Sequence, residues 1–382
     1  MLYVNKITIM KILLFGNPSM YHAYLAKGLR EMGHEVTVIG HGFAWRKFPG
    51  IDIMLERRQD INPKLAFVEY MWQAFKVLRK CKGYDIVQLH HPMFLQLRGS
   101  HMKPFYKYLR RHNKRVVMCA VGYDYHVLDQ IYNHNILRYS EQRIGDNIIH
   151  APYIEQTRET YLKSSCAPYS RYVAQDADAI VACLYEYWAC YNKVYPEKLH
   201  YIPMQMVIPE ASPIEYKVGD KVKFFIGIQR DRTAIKGTGI MLRAAEDIVR
   251  DYPDLAELHK VEDVPYSEYI KKMDGSDAIL DQLYSYTPSM NSLLAMSKGI
   301  IDIGGGEPEC YEILGEKELR PIINVEPTYE SVYNNLKEMI LHKERIPEMK
   351  RQSVEFVKKH HDYRKVAKQF VSLYDSLLSQ NG

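Results

Sequence analysis

The chain has 382 residues, of which 47% are hydrophobic and 25% charged. Length and composition are those of a globular protein of two or three domains, which excludes a fibrous or disordered chain, and no apolar run reaches the roughly 18 residues of a membrane span. The net charge of +5 conceals an asymmetry, because residues 1–130 carry 20 Lys/Arg against 9 Asp/Glu, and a basic half of this kind suits an anionic partner.

The run "ITIMKILLFG" (7–16) is apolar throughout and ends in glycine, as a buried parallel strand does. It reads as a strand rather than a signal peptide, since no small-residue cleavage site follows, and Met10 reads as a second start site. "MYHAYLAKGLREMG" has helical spacing and a glycine stop, and "HEVTVIG" is the next strand. Strand, helix and strand within about 30 residues make a βαβ unit of a parallel sheet. The alternation continues through a helix at 66–83, a strand at 84–90, a helix at 101–113 and a strand at 114–122. Beyond it come "ADAIVAC" as a strand, "LYEYWACYNKVY" as a helix and "KLHYIPMQM" as a strand entering a loop.

"PEASPIEYKVGD" (209–220) breaks the rhythm with two prolines, a glycine and several charges, and reads as a linker. A second alternation starts at "KVKFFIGI" and runs through the strands "AELHKVED", "DAILDQL" and "RPIINV" to three amphipathic helices. The expected organisation is a first α/β domain over 1–208, the linker, a second over 221–360, and a closing helix at 361–382 packed back on the first. Two such halves imply a cleft lined by the carboxyl ends of their strands. Cys81, Cys119, Cys166, Cys183, Cys190 and Cys310 form no C-x-x-C pair, which argues against zinc and suits a reducing cytoplasm.

Arg230, Arg232 and Lys236 share one strand-to-helix loop, followed by Gly237 and Thr238 at a helix start. Cations there, with the positive end of a helix, suit a diphosphate. "PSMNSLLAMSKG" places Ser289, Met290, Asn291 and Ser292 at another helix start, where backbone amides can hold phosphate. The strand basic loop, "IKGTGIMLRAA", "DQLYS…AMSKG", "GHEVTVIG" and the closing helices together resemble glycosyltransferase family 4, over most of residues 10–380.

That resemblance implies the GT-B fold, in which two Rossmann-like domains with parallel sheets face a central cleft. It implies transfer of a sugar from a nucleotide-diphospho-sugar to a glycan or lipid-linked acceptor. Such enzymes usually retain configuration and need no metal or other cofactor. In the family a lysine and an earlier arginine hold the diphosphate, which here are Lys236 and Arg230, with Arg232 as the second candidate. The family's two acids before "AM" fall on Tyr286 and Leu294, and its histidine before a glycine falls on Val121. Glu307 and Glu309 of "GGGEPECYE" are the expected substitutes, in a glycine run that admits close approach to a ligand. A catalytically silent homologue and a sugar-nucleotide epimerase are the rival readings.

In the first half Asp124 matches the family's aspartate, His126 is a candidate base, and Asn17, Ser19, His90 and His91 are expected along the cleft. "KPFYKYLRRHNKR" interleaves six cations with Phe105, Tyr106, Tyr108 and Leu109 and reads as a face for an anionic membrane. No nucleic-acid module is present. The family suggests surface polysaccharide synthesis, at the inner face of a membrane.

Overall fold

The structure, a computed structural model, describes residues 8–42, 49–208 and 216–380. The chain start and most of the expected linker lie outside the described residues. The first half contains β1 (Lys11–Phe15), β2 (Glu35–Gly42), β3 (Ile53–Glu56), β4 (Ile86–Leu89) and β5 (Arg115–Ala120). It continues with the short hairpin β6 (Arg143–Ile144) and β7 (Asn147–Ile148), then β8 (Ala179–Ala182) and β9 (Leu199–Tyr201). Seven of these strands form one parallel sheet in the order β3-β2-β1-β4-β5-β8-β9. The second half has β10 (Val222–Ile228), β11 (Ala256–Glu262), β12 (Ala278–Leu280), β13 (Ile301–Gly304) and β14 (Ile323–Asn324), parallel in the order β11-β10-β12-β13-β14.

The apolar runs are continuous because helices cover both faces of each sheet. β4 and β8 are buried at every position. In both sheets the strand order reverses beside the first strand, between β1 and β4 and between β10 and β12. Loops diverge at such a point and leave a crevice at the carboxyl edge.

Two chain segments cross between the halves side by side. Met206 N donates to His361 O at 2.6 Å and Tyr363 N to Met206 O at 3.1 Å. Helix Tyr363–Ser379 then lies on the first half. Its Val366, Phe370 and Tyr374 join the core of Leu14, Leu25 and Val117, and Tyr374 Oη donates to Gln88 at 2.7 Å.

Two expectations need correction. The sequence patterns predict nothing regular between Val121 and Asp178, yet three α-helices (Tyr125–Asn133, Pro152–Arg158 and Cys166–Asp176), a π-helical turn (Glu159–Lys163) and the β6–β7 hairpin occupy that stretch. The basic helix, observed at Gly99–His112, turns Phe105, Tyr106 and Leu109 into the core at 8%, 0% and 0% exposure. Its apolar side is therefore no membrane face. Arg110 pairs with Asp178 at 2.6 Å and Lys114 with Asp85 at 2.7 Å. All six cysteines are buried and unbridged.

Candidate active site

Adjacent strands β10, β12 and β13 set three loops side by side at the carboxyl edge of the second sheet. Asp281 follows β12 directly and is 3% exposed. Its Oδ1 accepts from Lys236 Nζ at 2.9 Å and Asn291 Nδ2 at 3.0 Å. Its Oδ2 accepts from Ser292 Oγ at 3.1 Å and Ser289 Oγ at 3.3 Å. Burial opposes ionisation of this carboxyl, but Lys236 and the side-chain donors hold it below the usual range. Helix Met290–Ser297 has no side-chain cap, because the Ser289 hydroxyl turns to Asp281 and leaves the first amides uncapped.

Lys236 is placed by backbone geometry. It ends the short helix Thr233–Lys236, and Gly237, at φ 67°, turns the chain into helix Thr238–Asp251. A Cβ at residue 237 would lie 2.6 Å from Leu283 Cβ. Leu283 N donates to Lys236 O at 2.9 Å. The loop after β10 thus lies flat on the loop after β12, which aims the lysine at Asp281.

The two arginines differ. Arg230 has a side chain 74% exposed and pairs with Asp263 at 2.7 Å and Glu262 at 3.0 Å, at the end of β11. Arg232 is half-buried and acts with Lys236 on Glu141 of the first half. Burial pushes the Glu141 carboxyl above its usual range and Glu186 adds to this, against the pull of Arg232 and Lys236. Glu141 lies in the stretch without predicted elements, and no sequence motif marks it.

Glu307 and Glu309, expected as substitutes for the missing acids, are held across the cleft instead. Arg138 of the first half donates to Glu307 at 2.7 Å and to Glu309 through both terminal nitrogens. Tyr139 Oη donates to the other Glu307 oxygen. Tyr286 is 1% exposed; its ring lies 4.8 Å from Tyr139 and 5.5 Å from Tyr185 between centroids, under the Arg138 guanidinium. Leu294 is buried among Phe225, Ile279 and Tyr311. The glycine run serves protein packing rather than a ligand, since a Cβ at Gly305 would lie 2.3 Å from Ser285 O. Glu186, from the first turn of helix Tyr185–Asn192, takes the amide of Tyr286 at 2.5 Å and the Thr287 hydroxyl at 2.6 Å.

On the first-half wall, Asp124 is fully buried. It caps helix Tyr125–Asn133 through Val127 N at 3.0 Å and accepts from Tyr191 Oη. A carboxylate so enclosed positions the loop after β5 and does not reach the cleft. His126 is 4% exposed, packed against Tyr191 and Tyr195, and burial lowers its basicity. His91 is fixed as a neutral ring, accepting from Met93 N at 3.1 Å and donating to Tyr123 O at 3.0 Å; His90 contacts Phe15 O at 3.0 Å. Asn17 Oδ1 accepts from Ala23 N at 2.9 Å while its Nδ2 is buried without a partner. Ser19 and Met20 sit at φ 48° and 69°, a strained pair at the end of β1 of the kind concentrated at functional sites.

No family model matches the chain, and no curated protein does. Solved structures do. Sucrose-phosphate synthase from Thermosynechococcus elongatus superposes with TM-score 0.61 at 12% identity, over 97% of this chain and 100% of that one. HepE from Anabaena, in complex with UDP and glucose, gives 0.60 at 11% identity over 96% and 100%. WaaG, a glycosyltransferase involved in lipopolysaccharide biosynthesis, gives 0.57 at 12% identity over 96% and 99%. The chain has the GT-B fold of these glycosyltransferases.

Proposed function

We propose that the protein is a glycosyltransferase that moves a sugar from a nucleotide-diphospho-sugar to a glycan or lipid-linked acceptor, acting at the cytoplasmic face of a membrane in surface polysaccharide synthesis. The observation that carries this reading is the cluster of Lys236, Asp281 and the uncapped start of helix Met290–Ser297 at the carboxyl edge of the second sheet. A diphosphate entering there meets a cation, a helix dipole and free amides. Two of the solved GT-B relatives, HepE and TarM, are complexes with UDP or UDP-glucose, which supports a nucleotide-sugar as the partner.

In this scheme the bond from the anomeric carbon to the diphosphate breaks and a bond to the acceptor hydroxyl oxygen forms on the same face. The departing diphosphate oxygen takes the hydroxyl proton, so no protein nucleophile is required. Lys236 and Arg232 stabilise the departing charge, with Arg230 further out. Ser289, Met290, Asn291 and Ser292 line the phosphate. Asn17, Ser19 and Glu141 face the acceptor, and Asp124 and His126 support that wall from below. Hydroxyl recognition by Glu307 or Glu309 requires that Arg138 release them.

One observation favours a silent binding protein instead: the acid positions hold Tyr286 and Leu294, and Glu307 and Glu309 are already paired. Incubation with a panel of nucleotide-sugars separates the two readings. The transferase reading expects release of nucleoside diphosphate that depends on Lys236; nucleotide binding without any turnover supports the silent protein.

A further inference from the structure

Helix Pro63–Leu78 is apolar on two sides. Ala66, Tyr70, Ala74 and Leu78 are buried. Leu65, Val68, Trp72 and Phe75, at steps of three, four and three residues, form a second stripe on the outside. They are 63%, 63%, 56% and 47% exposed. Steps of three and four keep side chains on one face of a helix. Bulky apolar residues in a continuous exposed line mark an interaction surface rather than a solvated helix.

The surroundings of the stripe are cationic. Lys76 Nζ lies 4.8 Å from the Trp72 ring centre and the Arg79 guanidinium 5.8 Å from that of Phe75. Trp72 and Phe75 stack at 6.1 Å. Glu69 is the helix's only acid. The neighbouring helix Gly99–His112 touches this one through Phe67 and His101, and through Tyr108 Oη to Arg79 O at 3.3 Å. It exposes Lys107 and Arg111. Lys103 of that helix lies 4.4 Å from the Tyr172 ring, towards helix Cys166–Asp176, so the cations at the stripe itself are Lys76 and Arg79. An apolar ridge with Trp at its centre and Lys/Arg at its margins matches the headgroup boundary of an anionic bilayer, where rings enter the acyl edge and cations meet phosphate. A protein partner would need an apolar groove rimmed by acids, whereas a bilayer supplies both features as one surface.

We propose that the outer face of helix Pro63–Leu78 docks the protein on an anionic lipid surface through Leu65, Val68, Trp72 and Phe75, with Lys76 and Arg79 on lipid phosphates. This inference rests on the membrane-face part of the proposed function and not on its active site, so failed vesicle binding and failed turnover are distinguishable.

The test is sedimentation of the full chain with phosphatidylcholine vesicles, with and without about 30% phosphatidylglycerol. The expected result is binding to the anionic vesicles alone, release on raising salt from about 0.1 to about 1 M, and quenching of Trp72 emission by brominated lipid that disappears in Trp72→Phe. The pair Trp72→Gln with Phe75→Gln should cut partition at least about tenfold. The pair Lys76→Gln with Arg79→Gln should do the same, each cation contributing about fivefold. These side chains are on the surface, and an unchanged melting temperature checks that the variants fold. Equal partition of wild type and the Trp72/Phe75 variant overturns the proposal. So does a soluble dimer that avoids vesicles and dissociates in that variant, which would make the stripe an interface between copies of the chain.

Discussion

At the scale of single residues, buried charge gives the sharpest expectations. Lys350 pairs with Asp277 at 2.5 Å, with side chains 8% and 4% exposed. Lys350→Met leaves that carboxylate without its cation and should cost about 3 kcal/mol in denaturant unfolding; no change would show the pair to be dispensable. Asp302 is 1% exposed. Burial, and then Asp281, push its carboxyl well above the usual range. A raised carboxyl favours folding while protonated, and this contribution fades as pH rises from the unfolded pKa towards the folded one. Asp302→Asn should therefore gain thermal stability relative to wild type as pH rises above about 4. A melting-temperature difference independent of pH between about 4 and 8 contradicts it. Lys236, Ser289, Asn291 and Ser292 read as a candidate phosphate site because a cation loop and a polar helix start have recognisable sequence forms, and the structure brings all four onto Asp281. Asp281 opens the motif "DQLYS" with no local pattern to mark its role, since its importance comes from being buried beneath four donors. The same limit explains Asp124 and Arg230: residue type suggested the cleft, while burial placed the first beneath it and ion pairs hold the second at the outer end of β11.

At the scale of elements, the parallel strands could be read from their apolar runs, and the loops at their carboxyl ends followed from that. The stretch 121–178 could not. Its value lies in Arg138 and Tyr139 meeting Glu307 and Glu309 from about 170 residues away in sequence, and polar contacts at that separation leave no periodicity. Helix Pro63–Leu78 hid its exposed stripe for a different reason: with apolar residues on both sides, pattern alone cannot say which side is core. Glu186 ties helix Tyr185–Asn192 to the Ser285–Thr287 loop of the other half. Charge-assisted bonds of this kind contribute about 1.5–3 kcal/mol each. Glu186→Ala should accelerate hydrogen exchange of the Tyr286 and Thr287 amides by at least about tenfold. Unchanged exchange would mean that Glu186 does not hold the Ser285–Thr287 loop against the first half, leaving that to the Arg138 ion pairs and the stack of Tyr139, Tyr185 and Tyr286.

At the scale of the whole molecule, the fold brings a cationic edge on the second half against a wall carrying Glu141 and Glu186 on the first. Arg138 and Glu186 span the gap, so a sugar donor, as proposed, needs them to yield or to accommodate it. GT-B architecture supplies the crevice, and the proposed chemistry depends on Lys236 and the start of helix Met290–Ser297. Calorimetric titration with uridine, adenosine and guanosine diphosphates tests that dependence most directly. The account expects at least one of them to bind wild type and to bind Lys236→Ala about tenfold more weakly, with Arg232→Ala weaker than Arg230→Ala. No binding of any nucleoside diphosphate to wild type, or equal affinity in Lys236→Ala, would contradict it.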